Sequence, residues 1–161
     1  MEKYILITGA SSGMGALCAK QLSGSHKLIL ASENLEMLQN VLSECSNKSD
    51  HILWHCDFAT EREQIVSSLT ELLKSHDAVI EQYIHFAGIN KLMPLKTASI
   101  QNIDLTFNVN FFSIIEVLKA LLKKVNNNTL HNVVLISALV SERGNVGNST
   151  YAASKGAINS L

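Results

Sequence analysis

The sequence predicts an α/β chain in which parallel strands form one sheet with helices on both faces. Two observations predict this. Short apolar runs alternate with segments of helical period along the whole chain. Glycine- or aspartate-bearing turns fall after the runs, and a right-handed crossover between parallel strands brings those turns to one edge of the sheet. Ligands of open α/β sheets bind at that edge, near the point where strand order reverses.

Each element has its own signal. Tyr4 to Thr8 is a continuous apolar run ending in a glycine-rich turn, as expected of a strand buried on both faces. A helix from about Gly13 to Leu22 follows, with Met14, Leu17, Cys18 and Leu22 on one side. Lys27 to Ala31 reads as the second strand, and Asn34 as the cap of a helix carrying Leu35, Leu38, Val41 and Leu42. His51 to Cys56 is the third strand. Thr60 and Glu63 have the spacing of a capping box ahead of a helix with an Ile65, Leu69, Leu72, Leu73 stripe. Gln82 to Phe86 is the fourth strand, Ile103 to Lys124 a long helix, and Val133 to Ser137 the fifth strand; a last helix begins near Ser149 or Thr150. Asn126-Asn127-Asn128 reads as a solvated loop.

Bulk properties narrow the function classes. A chain of 161 residues with 47% apolar and 17% charged residues fits one globular domain, residues 1–161, with a substantial core. A net charge of −1 argues against nucleic acid or an acidic membrane as the main partner. Cys18, Cys45 and Cys56 are odd in number and lie in apolar or helical contexts, so they read as reduced thiols of a cytoplasmic protein. Neither a signal peptide nor a membrane-spanning run is expected. His51, His55 and Cys56 sit on a buried strand and its end, where structural placement outweighs metal binding.

Two stretches carry chemistry. Thr8-Gly9-Ala10-Ser11-Ser12-Gly13-Met14-Gly15 joins a strand to a helix, and glycines there let the backbone turn sharply while a pyrophosphate approaches the helix N-terminus. Tyr151 and Lys155 stand four residues apart, on one face of a helix. An ammonium near a phenol favours phenolate, bringing a group of pKa about 10 toward proton exchange at neutral pH. A dinucleotide cradle together with a proton-transfer pair points to hydride-transfer chemistry.

These stretches, with Cys56-Asp57-Phe58, Phe86-Ala87-Gly88, Asn108-Val109-Asn110 and Gly144-Asn145-Val146-Gly147, occur in an order and spacing that resembles the short-chain dehydrogenase/reductase family. Within it the chain looks most like the 3-oxoacyl-carrier-protein reductases. The resemblance implies a Rossmann-like, doubly wound parallel sheet with helices on both faces, and oxidation of alcohols or reduction of carbonyls with NAD or NADP. By position it makes Tyr151 the general acid/base, with Lys155 lowering its pKa and bonding the nicotinamide ribose, and Asn110 holding a relay water. Asp57 and Phe58 would meet the adenine, and Ala87 and Gly88 the ribose and nicotinamide side. Gly9, Ser11, Ser12, Gly13, Met14 and Gly15 would cradle the phosphates, with Ser32 and Glu33 at the adenosine ribose. A small carbonyl or alcohol substrate and a homodimer or homotetramer are further implications.

The departures from the family pattern matter as much. The family usually has a serine thirteen residues before the tyrosine, and Ala138 stands there. Either a local bulge or a one-residue loop difference lets Ser137 serve, or position 138 is a true alanine, the reading favoured here, and the chain is catalytically crippled. The alternative to an active enzyme is a non-catalytic dinucleotide-binding sensor or scaffold, or an enzyme disabled by Ala138. Phe86 replaces a common asparagine. Glu33, where NADP-preferring relatives often carry arginine, and Ser12 lean the cofactor choice to NAD, although Ser32 occupies the usual ribose-carboxylate position. The resemblance also implies C-terminal strands beyond Leu161, so the chain reads as a partial domain that stops in the helix starting near Tyr151.

Overall fold

A computed structural model describes residues 1–126 and 128–161; Asn127, the middle of the triple-asparagine stretch, lies outside the described residues. Strands β1 (Glu2–Thr8), β2 (Leu28–Ser32), β3 (Ile52–His55), β4 (Ala78–His85) and β5 (Asn132–Leu135) form one sheet in the order β3-β2-β1-β4-β5. Every pairing is parallel. The chain builds outward from β1 to β3, then returns to the opposite side of β1 to place β4 and β5. Strand order therefore reverses between β1 and β4, and the crevice expected of a doubly wound sheet lies above their C-terminal ends.

Helices α1 (Gly13–Leu22), α2 (Leu35–Glu44), α3 (Ile65–Ser75), α4 (Ile100–Phe107), α5 (Ser113–Leu121), α6 (Val140–Arg143) and α7 (Ser149–Asn159) complete the fold. Alternating side chains of the strands feed two cores. Ile5, Ile7, Leu28 and Leu30 pack with Ala16, Ala19, Leu38 and Val41 of α1 and α2. Tyr4, Leu6, Ile29, Ala31 and Tyr83 pack on the other face with Ile65, Leu69 and Leu73 of α3 and Ile114 and Val117 of α5. β2, covered on both faces, is buried throughout, whereas β5 at the sheet margin leaves Val133 and Val134 exposed.

Several sequence expectations need correction. The expected α1 stripe holds only in part: Cys18 and Leu22 pack against the core, but Met14 and Leu17 are exposed, and the buried contacts of α1 come from Gly15, Ala16 and Ala19. Small residues let a helix lie close to the strands, and the packing distance, not side-chain size, decides the buried face. Thr60 does not cap α3. Its hydroxyl donates to Asp57 Oδ2 at 2.7 Å, and a 3₁₀ turn over Arg62–Gln64 precedes the helix at Ile65. Asn34 does cap α2, accepting from the Met37 N–H. The long fourth helix is two α-helices joined by a π-helical segment, Asn108–Phe112, and it ends at Leu121. β5 stops at Leu135, two residues before Ser137.

Asn126 is buried, not solvated. Its Oδ1 accepts from Ile80 N and its Nδ2 donates to Ile80 O, satisfying β4 where the register between β1 and β4 shifts. Asn126→Ala leaves the buried Ile80 N–H without this acceptor, whereas the carbonyl keeps Thr129 Oγ1. The expected cost is about 1–3 kcal/mol, read as a lower urea midpoint at unchanged m-value; an unshifted midpoint would refute this role.

Candidate active site

The glycine-rich turn leaves β1 at Thr8 and enters α1. Gly9 has φ +67°, in the region that favours glycine, and a Cβ there would lie 2.6 Å from Ala87 N. A Cβ on Gly15 would collide with the Gly9 carbonyl. The turn after β1 thus fits directly against the Ala87-Gly88 turn after β4. Ser12 at the N-cap of α1 makes no side-chain cap bond, so it does not occupy the first amides of the helix. Amides at a helix N-terminus suit an anion such as a pyrophosphate.

A cleft of about 420 Å³ opens above this junction. Of the residues expected to hold a cofactor, Gly9, Ser11, Ser12, Gly13, Met14, Gly15, Ser32, Glu33, Phe58, Ala87 and Gly88 line it. Sequence reasoning missed Ile89, Lys91 and Leu105, which also line it. Ile89 follows the Gly88 turn directly, which was a usable signal; Leu105 lies on α4 and carried none.

At the ribose end, Ser32 Oγ donates to Ser11 Oγ at 2.7 Å and accepts from Asn34 N at 3.3 Å. His55 Nε2 lies 2.9 Å from the Glu33 carbonyl oxygen, so this histidine steadies the end of β2. His51 does similar work, its Nδ1 accepting from Leu28 N. Asp57 has local duties: Oδ1 accepts from Ala59 N at 2.8 Å and Oδ2 from the Thr60 hydroxyl. Its carboxylate folds the turn and does not line the cleft. Burial pushes the Cys56 thiol, on the cleft wall, up to about 12, which keeps it protonated and unreactive.

The opposite end is built by α7 and the π-helical segment. Lys155 is buried, its Nζ donates to the Ile136 carbonyl at 2.8 Å, and it lies 5.9 Å from the centroid of the Tyr151 ring. Burial lowers the Lys155 pKa. Asn110, fully buried, grips the Ile89 peptide with both side-chain atoms: Oδ1 accepts from Ile89 N at 2.8 Å and Nδ2 donates to Ile89 O at 3.0 Å. Nδ2 also donates to Ser154 Oγ at 2.9 Å, tying the π-helical segment to α7. That segment's widened turn aims Asn110 at the sheet edge, consistent with the frequent placement of such bulges at functional sites.

Gly88 is where these parts meet. A Cβ placed on it would stand 3.4 Å from both Asn110 Oδ1 and Lys155 Nζ. The cleft floor and the Tyr151–Lys155 turn are therefore neighbours across one glycine. Ser137 is directed elsewhere: its hydroxyl donates to the Lys155 carbonyl at 3.1 Å, on the backbone of α7. Ala138, whose carbonyl accepts from Ser141 Oγ, brings no hydroxyl of its own.

Comparison with known proteins agrees with this geometry. Residues 3–161 match the family described as short chain dehydrogenase. The chain is 28% identical over 156 residues to carbonyl reductase family member 4 of Xenopus laevis, a match covering 96% of this chain and 64% of that protein. It is 26% identical to the 3-oxoacyl-[acyl-carrier-protein] reductase of Mus musculus, covering 98% of this chain and 65% of the relative. The crystal structure of a metagenomic short-chain oxidoreductase in complex with NADP superposes with a TM-score of 0.88 at 25% identity, covering 99% of this chain and 72% of that one. The chain thus spans about 65% of the length of these curated relatives. With its interlocked glycine turns, its π-bulged Asn110 and its buried Lys155 beside Tyr151, the chain belongs to the short-chain dehydrogenase family.

Proposed function

We propose that residues 1–161 are the dinucleotide-binding domain of an NAD(P)-dependent oxidoreductase that interconverts a secondary alcohol and a ketone, with a 3-oxoacyl compound as one candidate substrate. The observation that carries this reading is the convergence at Gly88, where the cleft floor meets Asn110 Oδ1 and Lys155 Nζ. Gly9 and Gly15 let the turn after β1 pack against Ala87 and on itself, and Gly13 faces open space where a pyrophosphate could approach. When bound, the nicotinamide supplies or takes up hydride. Tyr151 gives a proton to the forming alkoxide, or accepts it from the alcohol. Lys155, its Nζ 5.9 Å from the Tyr151 ring centroid, would present an ammonium beside the phenol and would hydrogen-bond the nicotinamide ribose. Asn110 fixes the Ile89 peptide and orients the water that returns the proton to solvent.

At the adenosine end, the exposed Glu33 carboxylate disfavours a 2′-phosphate by charge repulsion, and the Ser11–Ser32 hydroxyl pair suits neutral ribose hydroxyls. This supports NAD over NADP. A cytoplasmic location, suggested by the free Cys18, Cys45 and Cys56, and a homo-oligomeric enzyme, suggested by resemblance, complete the reading.

One observation favours a second reading. Ala138 lacks the hydroxyl that would bond the substrate oxygen, and Ser137 is engaged by Lys155 O. A chain that binds dinucleotide without turnover, as a sensor or scaffold, fits that feature. Incubating the protein with reduced dinucleotide and a panel of ketones, and following nicotinamide absorbance, separates the two. Ala138→Ser is expected to raise turnover roughly 10²–10³-fold, the worth of one donor to the developing oxyanion. Dinucleotide binding with no turnover in either form would instead support the sensor, and absence of binding would overturn both.

A further inference from the structure

β1 and β4 end side by side, with Thr8 opposite His85 in the register, immediately before the two turns that form the cleft floor. His85 is fully buried at this point. Its Nδ1 lies 2.8 Å from Thr8 Oγ1 and 2.8 Å from Tyr83 OH. Its Nε2 has no hydrogen-bond partner among the described residues. The ring stacks on Phe58, which lines the cleft, with centroids 6.3 Å apart and planes 24° from parallel.

Two hydroxyls facing one ring nitrogen select a tautomer. With the ring proton on Nε2, Nδ1 accepts from one hydroxyl and the other hydroxyl can donate to the first. With the proton on Nδ1, one hydroxyl keeps an unused proton and Nε2 keeps an unused lone pair in the core, two unmet groups against the single unmet Nε2–H of the other tautomer. The imidazole therefore acts as an acceptor clamp on Thr8 and Tyr83, and it is neutral there: burial and the nearby Lys155 ammonium both oppose a charged ring.

We propose that His85 is a positioning residue for dinucleotide binding, a neutral imidazole that sets the glycine turn after β1 against the turn after β4. The inference rests on the function proposed above. Three features make the imidazole more than core filling. Its partner Thr8 leads directly into Gly9, and the Thr8 carbonyl also accepts from Phe86 N at 3.1 Å. The turns that follow leave no slack, since a Cβ on Gly9 would reach within 2.6 Å of Ala87 N. Its flat face supports Phe58 on the wall of the same cleft. One ring thus touches or adjoins the loops after β1, β3 and β4, and displacement of any of them by a few tenths of an ångström changes the cradle.

The test compares wild type, His85→Phe, His85→Asn and Thr8→Val by fluorescence titration with NADH and NADPH, with circular dichroism to monitor folding. His85→Phe keeps the flat ring but loses the acceptor, and it is expected to weaken binding about tenfold or more, the worth of one hydrogen bond of fixed geometry. His85→Asn, which can offer an acceptor near the Nδ1 position, is expected to recover most of that loss. Imidazole ¹⁵N spectra of the wild type are expected to show the proton on Nε2, with resonances that shift as NADH saturates the cleft. A folded His85→Phe that binds as tightly as wild type overturns the proposal. If that variant does not fold, Thr8→Val carries the test, and undiminished binding by it overturns the proposal equally. A proton on Nδ1, or imidazole signals unmoved by saturating NADH, also overturns it. Wild type that binds neither dinucleotide fails the functional reading and this inference together, whereas tight wild-type binding with unaffected variants fails this inference alone.

Discussion

Tyr151→Phe is expected to lower ketone reduction by the intact protein about 10²–10⁴-fold, the range for loss of a positioned general acid/base, while leaving NADH affinity within about twofold. The substitution removes a single oxygen and keeps the ring that stands 5.9 Å from Lys155 Nζ. On the proposed reading, binding and proton transfer separate cleanly because the residues assigned to them reside on different elements. The proposed phosphate cradle is the β1–α1 turn, whereas Tyr151 lies on α7, whose Lys155 Nζ would stand 3.4 Å from a Cβ placed on Gly88. Lys155→Met is expected to behave differently. It removes the ammonium beside the phenol and leaves the Ile136 carbonyl without its donor, so NADH affinity falls together with turnover. Steady-state kinetics with parallel NADH titrations check both variants. Equal turnover by Tyr151→Phe and wild type would remove Tyr151 from the chemistry and return the chain to a binding role.

Much of this site is legible in the sequence because its parts are local. A strand, a glycine turn and a helix start in one eleven-residue window, Ile5 to Gly15, and each constraint acts within that window. The same holds for Tyr151 and Lys155 on one helix. Strand order is less local, yet alternating strands and helices with right-handed crossovers leave few arrangements, and the observed β3-β2-β1-β4-β5 order is among them. What escaped the sequence depends on contacts between distant segments. Asn126 looked like loop polarity, because nothing near it announces that it would reach Ile80, 46 residues away. Thr60 had capping spacing, but Asp57 competed for its hydroxyl and won. The exposed side of α1 misled for a similar reason: Met14 and Leu17 are bulky, but the buried positions of the helix are the small Gly15, Ala16 and Ala19.

The resemblance to a family could not supply the role of His85 either. Its partners are Thr8, 77 residues earlier, and Tyr83 on the same strand, and only the pairing of β1 with β4 brings the three together. That placement has a measurable consequence for acid stability. A histidine ionises near pH 6.5 in an unfolded chain, whereas burial first, and the Lys155 ammonium second, hold His85 down to about 3 in the fold. The folded state therefore favours the neutral ring. Its contribution is complete above pH 6.5 and is lost as the unfolded chain takes up a proton the folded chain refuses, between pH 6.5 and 3. The slope approaches about 1.4 kcal/mol per pH unit, so the loss is on the order of 2 kcal/mol at pH 5 and 4–5 kcal/mol at pH 3, a large part of the ~5–15 kcal/mol typical of a domain. Urea unfolding of wild type and His85→Phe between pH 7.5 and 4 isolates this contribution, because the titrations common to both proteins cancel in the difference. Wild type is expected to lose its advantage over the variant, or fall further behind it, steadily as the pH drops below 6.5. A difference that stays constant across that interval would show that His85 takes up a proton as readily in the fold as outside it, and would place the ring in contact with water.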